Sequence, residues 1–289
     1  MNFGILGNNL RDKNGLFRKS VEELLYKKAI NVLFNDEIFN DSLEIEKFAP
    51  QLDCVICIGG DGTFLYVARR FYRYKIPILG INHGNLGFLT NVERADTENA
   101  IDQILAGQYI LEKRMMLEGS VYRNGKLLYK DTALNDIVIK NDINSKIIHV
   151  KTYYDNLLID NYPGDGLIVC TPTGSTAYSL SCGGPIVDPN IDQIIITPIC
   201  PHILFARSVV TSGDRTIRAI IDENEDFECV VKFDDKETFT LRGRDEIIYK
   251  KAESKVKIIA VAKVNFFDVL RYKLYSRGEN LRNNEREKT

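Results

Sequence analysis

Three short stretches carry side chains whose types and spacing suit chemistry on a phosphate or a sugar hydroxyl. Residues 59–63 read Gly59-Gly60-Asp61-Gly62-Thr63, directly after the apolar run Asp53–Ile58 and directly before a helical pattern. Glycines let the backbone approach a ligand closely, and free N–H groups at a helix start favour an anion. A carboxylate is out of place there unless Asp61 takes a proton from an attacking hydroxyl or helps to position a metal. A tight turn with a surface aspartate is the plainer alternative. The run is neither a dinucleotide GxGxxG nor a P-loop, and the chain has no P-loop elsewhere.

The second stretch is 164–178. Gly164-Asp165-Gly166 leads into the apolar Leu167–Cys170, then a loop holding Thr171, Thr173, Ser175 and Thr176 around Gly174, with Gly183-Gly184-Pro185 beyond. Hydroxyls and free N–H groups suit phosphate or ribose, although the same residues also make ordinary loops. The third is Asn135-Asp136, before Ile137–Ile139. An amide can pair with a base, and a carboxylate can accept from two ribose hydroxyls. A strand-edge turn is the alternative.

Two kinds of element must position these groups. Up to about residue 110, strand-like runs (Asn2–Leu6, Ile30–Phe34, Asp53–Ile58, Ile78–Ile81) alternate with helical spacing over Leu16–Lys28, Thr63–Tyr74 and Thr97–Ala106. Thr63 is the expected cap of the middle helix. This is α/β patterning. Beyond residue 110, short runs recur between turn signals such as Asn124-Gly125 and Asp155-Asn156, ending with Val256–Val261. That spacing predicts an all-β, antiparallel, sandwich-like domain. Asn265 can cap a helix through about Leu274, and the polar tail 276–289 is expected to be frayed.

The 289 residues suffice for two domains. A net charge of −2 supplies no general field for nucleic acid or an anionic membrane. No leader pattern and no run approaching a membrane span is visible, so a cytoplasmic protein is expected. The six cysteines are irregularly spaced, which argues against a disulfide framework. Cys54 and Cys57 sit three apart in an apparent strand and so face opposite ways, unsuited to a zinc or redox pair. Three histidines make a His-rich metal centre improbable.

Together the motifs resemble the NAD kinase family: GGDGT at 59–63, GINHGNLGFLT at 80–90, ALNDIVI at 133–139 and GDGLIVCTPTGSTAYSLSCGGPIVDP at 164–189. The resemblance implies Mg²⁺-dependent phosphoryl transfer from ATP, or another phosphoryl donor, to the 2′-hydroxyl of the adenosine ribose of NAD, giving NADP. It implies Asp61 as general base, with Gly60, Gly62 and Thr63 close to the ligand and Phe88 near the adenine. It further implies that Asn135 and Asp136 hold the adenosine. Asp165, Thr176, Ala177, Tyr178 and Ser181 would line the dinucleotide pocket, and His202 would border the nicotinamide side. No metal ligands are assigned. The resemblance also implies a homodimer or homotetramer, and a first domain of 1–110 completed by a return of 265–289, with 111–264 as the β-rich NAD-binding domain. Three departures stand out. Asp136 replaces a common glutamate, Pro163 stands where a basic residue is frequent, and Ser208 follows Arg207 in place of a proline. Lys146 is the candidate for the missing cation. A lipid or sugar kinase sharing GGDGT, or a non-catalytic NAD(P) sensor, is the alternative reading. The first leaves TPTGSTAY without a role, and the second does not need Asp61.

Overall fold

The computed structural model describes residues 1–9, 12–38, 44–84, 87–141, 147–222, 229–234, 237–261 and 265–273. The chain divides into two compact units, Met1–Glu112 with Lys257–Thr289, and Lys113–Val256.

In the first unit the apolar runs become β1 (Asn2–Gly7), β2 (Asn31–Glu37), β3 (Cys54–Ile58), β4 (Pro77–Asn82), β5 (Val92–Glu93) and β6 (Ile110–Arg114), joined by the late strand Val256–Ala260. The helices are α1 (Leu16–Lys27), the single turn α2 (Ile45–Phe48), α3 (Asp61–Phe71) and α4 (Thr97–Leu105). Strand order is β2-β1-β3-β4, then Val256–Ala260, then β6, with β5 also on β4. β1 through β5 pair in parallel. All five residues of β3 are buried, as a parallel strand covered on both faces requires. One face packs Phe17, Val21 and Leu25 of α1 and Ile101 and Ile104 of α4 against Ile5, Ile56 and Leu79. Gly80 turns the other way, where a Cβ would lie 3.1 Å from Phe64 of α3. Burial pushes the Cys54 thiol up to about 12 and raises Cys57 as well, so neither forms a ready thiolate.

Two elements differ from the sequence reading. α3 starts at Asp61, with the extended Gly60 as its cap, two residues before the expected start. Thr63 does not cap the helix because its side chain packs beneath Gly59, where a Cβ would lie 2.4 Å from Thr63 Oγ1. Val256–Ala260, read as one more antiparallel strand, instead runs parallel to β4, with Lys257 opposite Pro77 and Ile258 opposite Ile78. A short apolar run has the same pattern in either kind of ladder.

The second unit holds β7 (Leu117–Arg123), β8 (Lys126–Ala133), β9 (Asp136–Asn141), β10 (Ile148–Tyr154), β11 (Leu157–Gly164) and β12 (Gly166–Cys170). It continues with α5 (Tyr178–Ser181), β13 (Gln193–Ile199), β14 (Val209–Ser212), β15 (Ile217–Ile221), β16 (Cys229–Phe233), β17 (Glu237–Leu241) and β18 (Glu246–Lys251). Asn124 and Gly125 both take positive φ, 51° and 75°, the hairpin geometry their types favour. The sheets are β11-β10-β15-β18-β7-β8 and β14-β13-β12-β9-β16-β17. Leu117, Val121, Ile217 and Tyr249 from the first share one core with Ile137, Ile139, Leu167, Val169 and Val231 from the second, so the unit is a sandwich. On the outer face of the second sheet, Val187, Tyr178 and Cys182 cover Val138, Ile168 and Ile195.

Candidate active site

The first unit places Asp61 at the carboxyl end of β3, beside β1, where the chain order switches from one side of the sheet to the other. Open α/β sheets bind ligands at such a point. Its carboxylate is held by the segment after β4. Oδ2 accepts the Phe88 N–H at 2.9 Å, and Oδ1 accepts those of Leu89 at 3.0 Å and Thr90 at 3.3 Å, plus the Thr90 hydroxyl at 3.2 Å. Asn82 Nδ2 donates to Thr90 Oγ1 at 2.9 Å and so sets that hydroxyl's direction. Gly87 lies against the acid, where a Cβ would fall 2.0 Å from Asp61 Oδ1, so only glycine fits. Among the described residues a Cβ on Gly60 or Gly62 would meet nothing within 4 Å, which leaves open space at the turn. The Asp61 side chain is 30% exposed, and Lys273 Nζ lies 3.6 Å from Oδ2.

In the second unit a different aspartate performs a similar task. Asp234 Oδ2 accepts the Leu134 N–H at 2.8 Å, and Oδ1 accepts those of Asn135 at 2.8 Å and Asp136 at 3.2 Å. The hydroxyl-rich loop docks on the same turn. Thr171 Oγ1 donates to Leu134 O at 2.5 Å and accepts the Gly174 N–H at 3.1 Å. At Gly174 a Cβ would lie 2.2 Å from Asn135 O, which explains the glycine. Ser175 is fully buried, donating to Pro172 O at 2.6 Å and accepting the Val187 N–H at 3.1 Å. Two of the four hydroxyls thus build the loop. Among the described residues the buried Thr173 Oγ1 has no hydrogen-bond partner, and Thr176 Oγ1 reaches Thr173 O at 3.3 Å.

The structure therefore gathers Asn135, Asp136 and the 171–177 loop. It also gathers Pro163, Asp165 and His202. The His202 N–H donates to Pro163 O at 2.8 Å and the Asp165 N–H to Ile199 O at 2.9 Å. Tyr178 borders both groups. Burial raises its phenol pKa, with smaller contributions from Cys182, Cys200, Asp165 and Asp136. Thr176, Ala177 and Tyr178 are half-buried, while Ser181 and His202 are exposed. Lys146 lies outside the described residues.

Residues 3–109 match the family model for the ATP-NAD kinase N-terminal domain, and 134–261 the model for the ATP-NAD kinase C-terminal domain. The NAD kinase of Ruminiclostridium cellulolyticum is 44% identical over 284 residues, 96% of this chain and 98% of that one. That of Acetivibrio thermocellus is 40% identical over 288 residues, 98% of this chain and 100% of that one. The chain belongs to the NAD kinase family. It is thereby an enzyme of the NAD kinase class. The structure of an NAD kinase from Archaeoglobus fulgidus in complex with ATP is similar at a TM-score of 0.75 and 26% identity, covering 96% of this chain and 99% of that one. Yeast NADH kinase complexed with NADH shares the fold at a TM-score of 0.83 and 21% identity, covering 96% and 87%.

The sequence reading missed three residues of this NAD kinase fold: Gly87, Asp234 and Lys273. Gly87 was visible as part of GNLG without its reason. Asp234 lies a hundred residues from the turn it holds, and Lys273 sits in an ordinary amphipathic stretch. Neither carries a local signal.

Proposed function

We propose that the chain transfers the terminal phosphoryl group of ATP to the 2′-hydroxyl of the adenosine ribose of NAD, with Asp61 accepting the hydroxyl proton. One observation carries the reading. A carboxylate fixed by Phe88, Leu89 and Thr90 stands partly exposed beside an open glycine turn. Fixing the acid in advance removes a reorganisation step, and the open turn leaves room for the phosphates. The proton passes late, as the new bond forms, because an alcohol is a far weaker acid than a carboxylic acid. The rigid turn at Asn135 and Asp136 holds the adenosine, Thr176, Ala177, Tyr178, Ser181 and Asp165 line the dinucleotide pocket, and His202 borders the nicotinamide.

Mg²⁺ belongs to this reading as a companion of ATP. Among the described residues no group of three His, Cys, Asp or Glu side chains could hold a metal ion, and Asp61 is already engaged by N–H donors. Such sites are commonly completed by substrate phosphates, where the ion supplies charge neutralisation. We also infer a homodimer or homotetramer, supported by exposed apolar side chains at Leu157, Leu158, Leu204 and Phe205 of the sandwich unit. Light scattering on the purified protein tests it.

The reaction is tested by incubating purified protein with NAD, ATP and Mg²⁺ and reading NADP through an NADP-specific dehydrogenase, alongside Asp61→Asn. NADP formed by the wild type and nearly lost in the variant, with NAD binding retained, supports both the transfer and the base. A folded wild type that binds NAD and yields no NADP overturns the reading.

A further inference from the structure

Phosphoryl transfer spreads negative charge over the oxygens of the moving group, and catalysis depends on positive charge placed against them. The Gly59–Thr63 turn contains no lysine or arginine. The fold brings one from far along the chain. Residues 266–273 are helical, started by a reciprocal cap in which Asn265 Oδ1 accepts the Asp268 N–H at 3.0 Å and Asp268 Oδ2 accepts the Asn265 N–H at 3.3 Å. The ring of Phe266 packs on Phe88 with centroids 5.8 Å apart. This helical turn places Lys273 Nζ 4.7 Å from the centroid of the Phe88 ring and 3.6 Å from Asp61 Oδ2.

The state of that ammonium is informative. At 3.6 Å its contact with Asp61 is an ion pair, too long for a hydrogen bond. Its contact with Phe88 is a cation on an aromatic face. Among the described residues these are its contacts, so its three N–H donors are uncommitted. Asp61 does not depend on it, since Phe88, Leu89 and Thr90 already fix the carboxylate, while Oδ2 accepts the Phe88 N–H alone and keeps a lone pair for a proton. A lysine held by charge and a ring, about one-third exposed beside an open glycine turn, is placed to donate to an arriving anion.

We propose that Lys273 donates hydrogen bonds to the phosphoryl group in transfer. The inference rests on the reading of Asp61 as base. The new bond joins the ribose 2′-oxygen to the terminal phosphorus of ATP as the bond from that phosphorus to the bridging oxygen breaks. The hydroxyl proton goes to Asp61, and ADP leaves with the bridging oxygen. Lys273 stays an ammonium throughout and forms no covalent bond.

The test uses the full chain with Lys273→Met, Lys273→Arg and Lys273→Ala. ATP is varied at saturating NAD, and NAD affinity and the thermal midpoint are measured separately. The expected result is a kcat about 100-fold lower in Lys273→Met, the scale of losing one donor to developing charge. NAD affinity and the midpoint stay near wild type, Lys273→Arg keeps most of the rate, and added ethylamine restores part of the Lys273→Ala rate in a saturable way. Unchanged or raised kcat in folded Lys273→Met overturns the proposal, as does a loss of rate that neither arginine nor amine repairs. A wild type without NADP formation sinks the underlying reading. An inactive Asp61→Asn beside fully active Lys273 variants sinks this inference alone.

Discussion

Asp61 and Asp234 each collect three consecutive backbone N–H groups from a distant stretch of chain, Phe88 to Thr90 in the α/β unit and Leu134 to Asp136 in the sandwich unit. Each stretch also relies on a glycine with no room for a side chain, Gly87 against Asp61 and Gly174 against Asn135. The surroundings differ. Asp61 opens a helix, is partly exposed and has an ammonium beside it. Asp234 is buried, takes a φ of 48°, and returns its own N–H to Asp136 O at 3.0 Å. The same hydrogen-bonding device thus fixes an acid in one unit and a turn in the other. The bonding pattern does not set the proposed base apart; solvent access and a neighbouring cation do.

The comparison can be broken at each of its parts. The largest effect is expected for Asp61→Asn, with kcat down about 1,000-fold, within the range of general-base loss. Stability to urea should fall by only about 1 kcal/mol, because the amide oxygen still accepts from Leu89 and Thr90 while the new Nδ2 cannot accept from the Phe88 N–H. Asp234→Ala should show the reverse order. Removing a buried acceptor from three N–H groups costs about 3 kcal/mol or more, read by urea unfolding, and a rise in KM for NAD should exceed the fall in kcat. Full stability in Asp234→Ala would remove it from the comparison. The two glycines come next. Gly87→Ala and Gly174→Ala should each cost about 1–3 kcal/mol by overpacking, the first lowering kcat and the second raising KM for NAD. Similar kinetic signatures in both would show that the two clamps do not divide the work. The smallest effects on rate are expected for Thr90→Val and Thr171→Val, each of which removes a buried hydroxyl that makes two hydrogen bonds and costs about 2 kcal/mol of stability. Only Thr90→Val should touch kcat, because its hydroxyl meets Asp61.

Much of this was legible in the sequence where the signal is local. The alternation of 2- and 3.6-residue periods separated the α/β region from the β region, and Asn124-Gly125 announced its hairpin. The motifs were legible as chemistry because glycine and hydroxyl residues cluster within a few positions. What stayed hidden depends on pairing at a distance. Asp234, followed by Asp235 and Lys236, has the composition of any polar turn, and only the β9–β16 ladder, with Phe233 opposite Ile137, carries it to residues 134–136. Lys273 is one charge in a charged helix until Phe266 docks on Phe88. Thr63 has the right type for a cap, yet Gly60 had the backbone geometry and Thr63 packed inward. Val256–Ala260 shows that an apolar run announces a strand without naming its neighbour.

That strand also orders events on the ribosome. It lies between β4 and β6, so β6 waits for residues made long after it. The sandwich unit is one uninterrupted stretch, Lys113–Val256, and domains fold as units while the chain emerges. A nascent chain that has reached residue 256 therefore carries every strand of the sandwich but an open sheet in the other unit. Asp61 and its clamp are already translated at that stage, while Lys273 is not. Translation thus delivers the acid early and its cation late, and the α/β unit closes only after the sandwich can.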